Sequence, residues 1–326
     1  MTETLQYSST PGVGILDIVL AVGVLLAGGM ALGRRSRRGQ TGAFLSLGVI
    51  LSLVWLRLGS LDIAFAEAAL GTGLLSAVLV WLGVHPAPEG ERRRTAPAWL
   101  TASVGVLVGA LLTVVAGAVL LRAEQRLPDW SAPLATELPA TGVEHAITGV
   151  LLAFRGYDTL LESAVLLFAG VIVLAVGRDN GLPHVLMPQP ALPSILRFYA
   201  RIAAPVLLLL GLWLLFAGSS GPGGAFQSGA VLAGLLILLR TAQVDLSVLT
   251  RWWLPLLLVV GVIVFILAGL LGPVVGYPWL SWVGDWAFAT ILMVEVFLTA
   301  GITAGLYLLY LGLENPGRRI REVEDA

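Results

Sequence analysis

A chain of 326 residues that is 57% hydrophobic and 12% charged, with a mean hydropathy of +0.92, is no ordinary soluble domain, whose charged fraction is about twice as high. Cysteine is absent, which excludes disulfides, iron-sulfur ligation, c-type haem attachment and thiol chemistry together. The formal charge of -1 says little, because in a membrane protein the distribution of charge matters more than its sum, and every basic residue is arginine, so no buried lysine can relay protons.

The apolar runs are far too long for barrel strands, and lipid offers no hydrogen bonds to bare backbone, so the expected fold is an all-α integral membrane protein. Residues 1–12 lack the positive n-region of a signal peptide, and the first hydrophobic segment is expected to stay. Nine segments reach or approach membrane length: 13–33, 40–58, 62–83, 98–121, 157–177, 195–217, 225–241, 253–272 and 287–313. The seventh is short. With the amino terminus outside, every arginine except Arg57, Arg122, Arg126 and Arg155 falls on the cytoplasmic side, a strong positive-inside bias. Dropping the seventh helix would put Arg318, Arg319 and Arg321 outside, so the bias itself favours counting it and a cytoplasmic carboxyl terminus.

Proline-rich stretches at 84–97, 122–142 and 178–194 divide the chain into three expected modules, residues 1–97 with three helices, 98–194 with two and 195–326 with four. Val143 to Ala153 read as an amphipathic piece at the outer interface. No internal repeat is evident, and no loop could hold a soluble catalytic domain. His85, His145 and His184 lie away from the centres of the apolar runs and lack any metal spacing, so neither a metal nor another cofactor is expected.

Asp17, early in the first helix, reads as a headgroup-level residue. Asp62 in G-S-L-D-I-A-F-A-E-A-A-L-G-T-G (59–73) precedes a long apolar run and reads as an N-cap. Glu67 lies about one and a half turns further in, where a charge costs roughly 2 to 3 kcal/mol, so it should face a helix interface or water. Gly71 and Gly73 would let another helix approach. In F-R-G-Y-D-T-L-L-E (154–162), Asp158 and Glu162 share a helix face, and Arg155 lies three residues before Asp158, within pairing distance. With Asp158 thus clamped, Glu162 is left as the group free to exchange a proton. Around Pro222, Gly221, Gly223 and Gly224 cannot continue a helix cheaply, so the chain must turn or break near 218–229, either below the lipid surface or as a tight outer hairpin, with Gln227 the polar side chain best placed to act. Glu295, in the last helix, is the most deeply placed carboxylate by sequence count, and Asp285 reads either as a cap or as sitting among interfacial Trp279, Trp282 and Trp286. Glu67, Glu162 and Glu295 all fall in the first half of helices that run from outside to inside. With the glycine turn they suggest an outward-facing cation or proton half-channel.

Three of these stretches carry a resemblance. Gly59, Asp62, Ala64, Glu67 and Ala68 resemble the pattern G-x-P-D-x-A-x-x-E-A of the small three-helix module in membrane-bound hydrogenase antiporter-like subunits and at the carboxyl end of the large subunit of Mrp antiporters, with Leu61 in place of proline. F-R-G-Y-D-T-L-L-E resembles that family's next module. G-P-G-G-A-F-Q-S-G (221–229) is similar to the P-G-G-G-F-x-x-G signature of the MnhB family of Mrp antiporter subunits, with Ala225 where a third glycine is usual and Ser228 where another often occurs. The resemblance implies an accessory, non-enzymatic subunit of a multisubunit Na+/H+ antiporter in a bacterial or archaeal cytoplasmic membrane. It would work with partner subunits that include a large antiporter-like one, in contact with lipids, Na+ and H+ and with no nucleic acid. The same modules occur in membrane-arm subunits of redox-driven complexes related to membrane-bound hydrogenase and complex I, and a purely structural role is the third possibility.

Overall fold

The computed structural model describes residues 13–34, 36–84, 98–126, 130–180, 194–246, 248–282 and 284–313. Arg35, His85, Arg92 to Arg94, His184 and the arginines from Arg318 onward lie outside the described residues. The described residues are mostly helical, with no strand among them. It runs α1 (Ile15–Gly33), α2 (Arg37–Arg57), α3 (Leu61–Ala66), a π-helical stretch Glu67–Leu74, and α4 (Leu75–Val84). After these come α5 (Ala98–Arg126), α6 (Ser131–Glu137), a short 3-10 turn Leu138–Thr141, α7 (Ala146–Gly149), a second π-helical stretch Val150–Phe154, and α8 (Gly156–Asn180). The last part holds α9 (Ser194–Ala217), α10 (Ala225–Thr241), a third π-helical stretch Leu249–Trp253, α11 (Leu254–Val274), the 3-10 turn Gly284–Trp286 and α12 (Ala287–Leu313).

Among the described residues, 8 helices are long and apolar enough to cross a membrane, and Ala225–Thr241 is a shorter apolar helix. The protein is therefore an all-α, multi-pass membrane protein, and the observed helices match the expected segments to within a few residues. The expected third helix is one continuous span interrupted by the π-helical stretch. Such a widened turn leaves no trace in a 3.6-residue pattern.

Residues 84–137 form a compact unit of their own, made of α5 and α6, and residues 1–83 with 138–326 form the other. Within the larger unit α12 is central. It packs against α8, α10 and α11, and more than half of its membrane-length window is buried, at 56%. Its core-facing residues Ile291, Val294, Leu298, Ile302, Tyr307, Leu308 and Leu311 recur at helical spacing. α10 is buried on two sides because it lies between α9, α12 and the π-helical stretch after α3, so small residues Ser228, Gly229, Ala230 and Ala233 dominate its contacts.

Two expectations for the end of the bundle that carries the glycine turn are corrected. Residues 143–153 do not merely lie at an interface: Val143, Thr148, Gly149 and Leu152 are buried against the protein, while Glu144, Ile147 and Leu151 stay exposed. Trp282 is not an interfacial anchor. It is 8% exposed, packs on Phe265 with ring centroids 6.4 Å apart, and donates its indole N–H to Leu152 O at 2.6 Å, while Trp279 keeps more of its surface exposed. An indole that finds both a ring partner and a backbone acceptor gains more from the core than from headgroups.

Candidate functional site: a roofed glycine turn

The stretch between α9 and α10 is a tight reversal, and its backbone requires glycine. Gly223 and Gly224 hold φ values of 156° and 116°, which side-chain-bearing residues rarely adopt. A Cβ at Gly223 would collide with Leu214 O, and one at Gly218 would come within 2.6 Å of the Gly224 Cα. Gly224 N–H folds back to Leu214 O at 2.8 Å, and Gly221 N–H to Ala217 O at 2.8 Å. Pro222 has no N–H to satisfy and stands at the apex.

The remaining polar groups of the turn are met by residues far away in sequence. Gly223 N–H donates to Asp62 Oδ1 at 3.1 Å, Gln227 Nε2 donates to the Asp62 carbonyl at 3.3 Å, and the Asp62 carboxylate sits 3.3 Å from His145 Nε2. From the other side, the N–H groups of Glu144 and His145 donate to Ser219 O at 3.0 and 3.1 Å, and the Thr148 hydroxyl donates to Gly218 O at 2.5 Å. Residues 143–149 thus roof the turn. A reversal whose backbone is satisfied by protein in this way can lie beneath a membrane surface.

The N-cap expectation for Asp62 is therefore overturned. Ser60 holds the N-cap position of α3, no side chain caps that end, and the buried Asp62 carboxylate bonds the glycine turn and His145 instead. A local rule proposed a local role, while the partner groups lie 161 and 83 residues away along the chain.

Glu295 lies on the other side of the turn. It is 2% exposed, about 12 Å along the axis from the start of α12. A Cβ on Gly224 would stand 3.4 Å from Glu295 Oε1 and 3.7 Å from Gln227 Oε1, so two acceptor oxygens converge on the space that the missing side chain leaves. Glu295 Oε2 and, one turn on, Thr299 Oγ1 are buried with no hydrogen-bond partner among the described residues. None of the ion pairs among the described residues supplies Glu295 with a countercharge.

The other expected groups stand elsewhere. Glu67 is half-buried at the start of the π-helical stretch, and its carboxylate fills the space above Gly71, while a Cβ at Gly48 of α2 would meet Glu67 Oε1 at 3.4 Å and Thr72 Oγ1 at 2.6 Å. Gly71 thus makes room for its own helix's carboxylate and not for a neighbouring helix, and Gly73 faces the Ala68 carbonyl; Gly48 is the glycine that α2 brings close. Arg155 and Asp158 form an ion pair on the surface at the start of α8, where the chain bends out of the second π-helical stretch. Glu162 is exposed on α8, away from the buried Thr159 and Ser163 face. Asp17 accepts from Gly14 N–H at 2.8 Å and pairs with Arg57 at 2.9 Å. Asp285 is exposed.

The structure thus gathers Asp62, Gly223, Gly224, Gln227 and Glu295 at one place and leaves Glu67, Glu162 and the Arg155–Asp158 pair apart from it. His145, Thr148, Ser219 and Thr299 were not picked out from sequence. A signal existed for His145: the arginine distribution puts it and Asp62 at the same end of the bundle, where a histidine and a carboxylate beside apolar runs can pair.

Comparison with known proteins bears on the same segments. Residues 195–309 match the family model described as a domain related to the MnhB subunit of Na+/H+ antiporter, and residues 22–84 match the model of MbhD, an MBH subunit. No curated protein matches the sequence. A chain in a solved structure of the Mrp complex from Dietzia sp. DQ12-45-1b superimposes with a TM-score of 0.75 at 22% identity, over 93% of this chain and 35% of that one. The present chain spans about a third of that longer chain. It therefore joins an MbhD-type segment and an MnhB-type domain in one polypeptide, on a fold shared with a chain of an Mrp complex.

Proposed function

We propose that this chain is an accessory membrane subunit of a multisubunit antiporter that exchanges Na+ or a related monovalent cation for H+, and that Glu295 is its ion-bearing group. The observation that carries this is the buried Glu295 carboxyl, which faces the glycine turn with one oxygen unpartnered. A carboxylate so placed is costly unless a proton or a cation joins it, and a group that must take one or the other is suited to exchanging them. Gln227 Oε1 and the Thr299 hydroxyl offer further oxygens beside it. The chain has no lysine, so any lysine-based proton path would belong to a partner subunit. The matches to the MnhB and MbhD models support membership of such a complex, with a bacterial or archaeal cytoplasmic membrane as its location.

The test is cation-driven proton flux in proteoliposomes holding the complete complex. Glu295→Gln is expected to abolish flux while the complex still assembles and elutes intact. Glu67→Gln and Glu162→Gln are expected to abolish it as well, if the three carboxylates form an outward-facing half-channel; Glu162, exposed on α8, would then be completed by a neighbouring subunit. Full flux in Glu295→Gln sinks the ion-bearing role proposed for it, and full flux in all three variants leaves a structural role.

The match of residues 22–84 to the MbhD model favours a second reading, a membrane-arm subunit of a redox-driven complex. Co-purification with nickel-iron or iron-sulfur subunits would establish that reading, and co-purification with antiporter subunits alone would exclude it.

A further inference from the structure

The third membrane span does not stay with the same neighbour along its length. Its first part, α3 and the π-helical stretch Glu67–Leu74, packs on α2, whereas Ala77 and Val78 of α4 pack against the buried cluster that Ile237 of α10 forms with Tyr307 and Leu308 of α12. Past the π-helical stretch the span therefore parts from α2, and a wedge opens between them. A cavity of about 410 Å³ lies in that wedge, within the size range of small-molecule sites.

The wall that α2 gives this cavity changes character with depth. Arg37 opens α2 and stands at the rim, Gln40 and Thr41 follow one turn in, and Phe44 lies about 10 Å along the axis from Arg37. Leu79 of α4 lines the opposite side. One wall thus runs from a guanidinium through two hydrogen-bonding side chains to an aromatic ring, the order of polarity met on passing from the headgroups of a bilayer into its acyl chains. Because α1 and α2 are each long enough to cross a membrane, the turn that joins them, and with it the rim, lies at a membrane surface.

The charge at the rim is uncompensated. Arg34, Arg37 and Arg38 are exposed, none takes part in an ion pair among the described residues, and no acidic residue stands between Asp17 and Asp62 in the chain. Those two carboxylates belong to the other end of the α1–α2 hairpin, where Asp17 pairs with Arg57. The stretch 85–97 after α4, outside the described residues, holds Glu89 and Glu91 but also Arg92, Arg93 and Arg94.

We propose that this cavity binds an anionic phospholipid of the surrounding membrane, its phosphate on Arg37 with Gln40 and Thr41 donating beside it, and its acyl chain passing along Phe44 and Leu79. A guanidinium matches a phosphate both by charge and by paired N–H groups, and basic pockets between membrane helices suit anionic headgroups. A zwitterionic lipid has no net charge to draw it to the three arginines, and a free phosphate would leave the apolar wall unused. The bound lipid fills the space between the diverging helices and braces the α1–α2 hairpin against α4. Glu295 and the glycine turn take no part, so the proposal stands apart from the role proposed for them.

The test is photolabelling of the complete complex in proteoliposomes by a phosphatidylglycerol that carries a diazirine on its acyl chain, with labelled peptides mapped by mass spectrometry. Label is expected on the segments that hold Phe44 and Leu79, displaced by excess phosphatidylglycerol and not by phosphatidylcholine or inorganic phosphate. Arg37→Gln should weaken the displacement by phosphatidylglycerol roughly tenfold, the scale of losing a hydrogen bond to a charged group. Arg197→Gln, which removes an exposed arginine of α9 that does not line the cavity, should leave it unchanged. Equal displacement by phosphatidylcholine, no effect of Arg37→Gln, or the same loss in both variants overturns the proposal, since annular lipid or general surface charge then accounts for the label. Displacement by inorganic phosphate overturns it in favour of a simple anion site. Label that reaches the cavity in the isolated chain and not in the complete complex also overturns it, because a helix of a partner subunit then covers the wedge.

Discussion

Gly223 and Arg155 show how differently two polar-looking motifs are tied into one molecule. At Gly223 the backbone is in a region nearly closed to other residues, a Cβ would strike Leu214 O, and the N–H serves the buried Asp62 carboxylate. Gly223→Ala is expected to cost about 1 to 3 kcal/mol or more in backbone strain before the clash is counted, and to lower the thermal unfolding midpoint of the purified chain clearly. Arg155 makes an ion pair with Asp158, but the two side chains are 68% and 44% exposed and screened accordingly. Arg155→Gln should therefore change stability by less than about 1 kcal/mol in the same measurement. The pairing of Arg155 with Asp158 could be read from a spacing of three on a helix. The role of Asp62 could not, since a carboxylate before an apolar run satisfies the N-cap rule equally well whether or not a distant backbone N–H competes for it. Hydrogen bonds that span 161 residues leave no local pattern.

At the scale of elements, hydrophobic length was enough to find the helices, because a lipid-spanning run is defined by composition alone. What it could not show was where a helix widens. The π-helical stretch Glu67–Leu74 sets the Glu67 carboxylate over Gly71 and brings Thr72 against Gly48 of α2. From sequence Gly71 and Gly73 read as room for a neighbouring helix, and that the guest at Gly71 is the helix's own glutamate required coordinates. Gly71→Ala must displace that carboxylate toward α2, where Gly48 has little space to give. The expected result is a loss of about 1 to 3 kcal/mol, the usual cost of overpacking, measurable as a lower unfolding midpoint. The double variant Gly71→Ala with Glu67→Ala should recover most of it, because the obstacle is then gone. Equal destabilisation in single and double variants would mean that the glycine serves the π-helical backbone and not the carboxylate. The roof over the turn was illegible for a related reason. Residues 143–153 mix Glu144, His145 and Thr148 with apolar side chains as an interfacial piece would, and only the turn beneath them makes burial of Val143, Thr148, Gly149 and Leu152 the better solution.

For the whole molecule, the open quantity is which end of the bundle faces the cytoplasm, and the short helix α10 decides it. At about 1.5 Å per residue its 17 residues reach about 25 Å, less than the roughly 30 Å of a hydrocarbon core. A helix this short can still cross if it begins below the surface, and the site supplies the means: the glycine turn is roofed by residues 143–149 and lies level with Glu295, about 12 Å into α12. If α10 crosses, Leu58 after α2 is outside, Ser36 between α1 and α2 is inside, and Val244 after α10 is inside. If α10 dips in and returns, Val244 is outside. The absence of cysteine makes the distinction direct, since each position can carry the only thiol in the chain. Leu58 and Val244 are exposed. In intact cells a membrane-impermeant maleimide should label Leu58→Cys and leave Ser36→Cys and Val244→Cys unlabelled until the membrane is opened. Labelling of both Leu58→Cys and Val244→Cys from outside would make α10 re-entrant and reverse the helices that follow, which would move Glu295 to the opposite side of the membrane from the glycine turn it packs against. Contacts within the bundle make that outcome costly, because α10 and α12 pack along their lengths and Thr303 reaches Gly229 O at 3.4 Å, well below the turn. A helix held to its neighbour both at Glu295 and a further two turns down is built as a span.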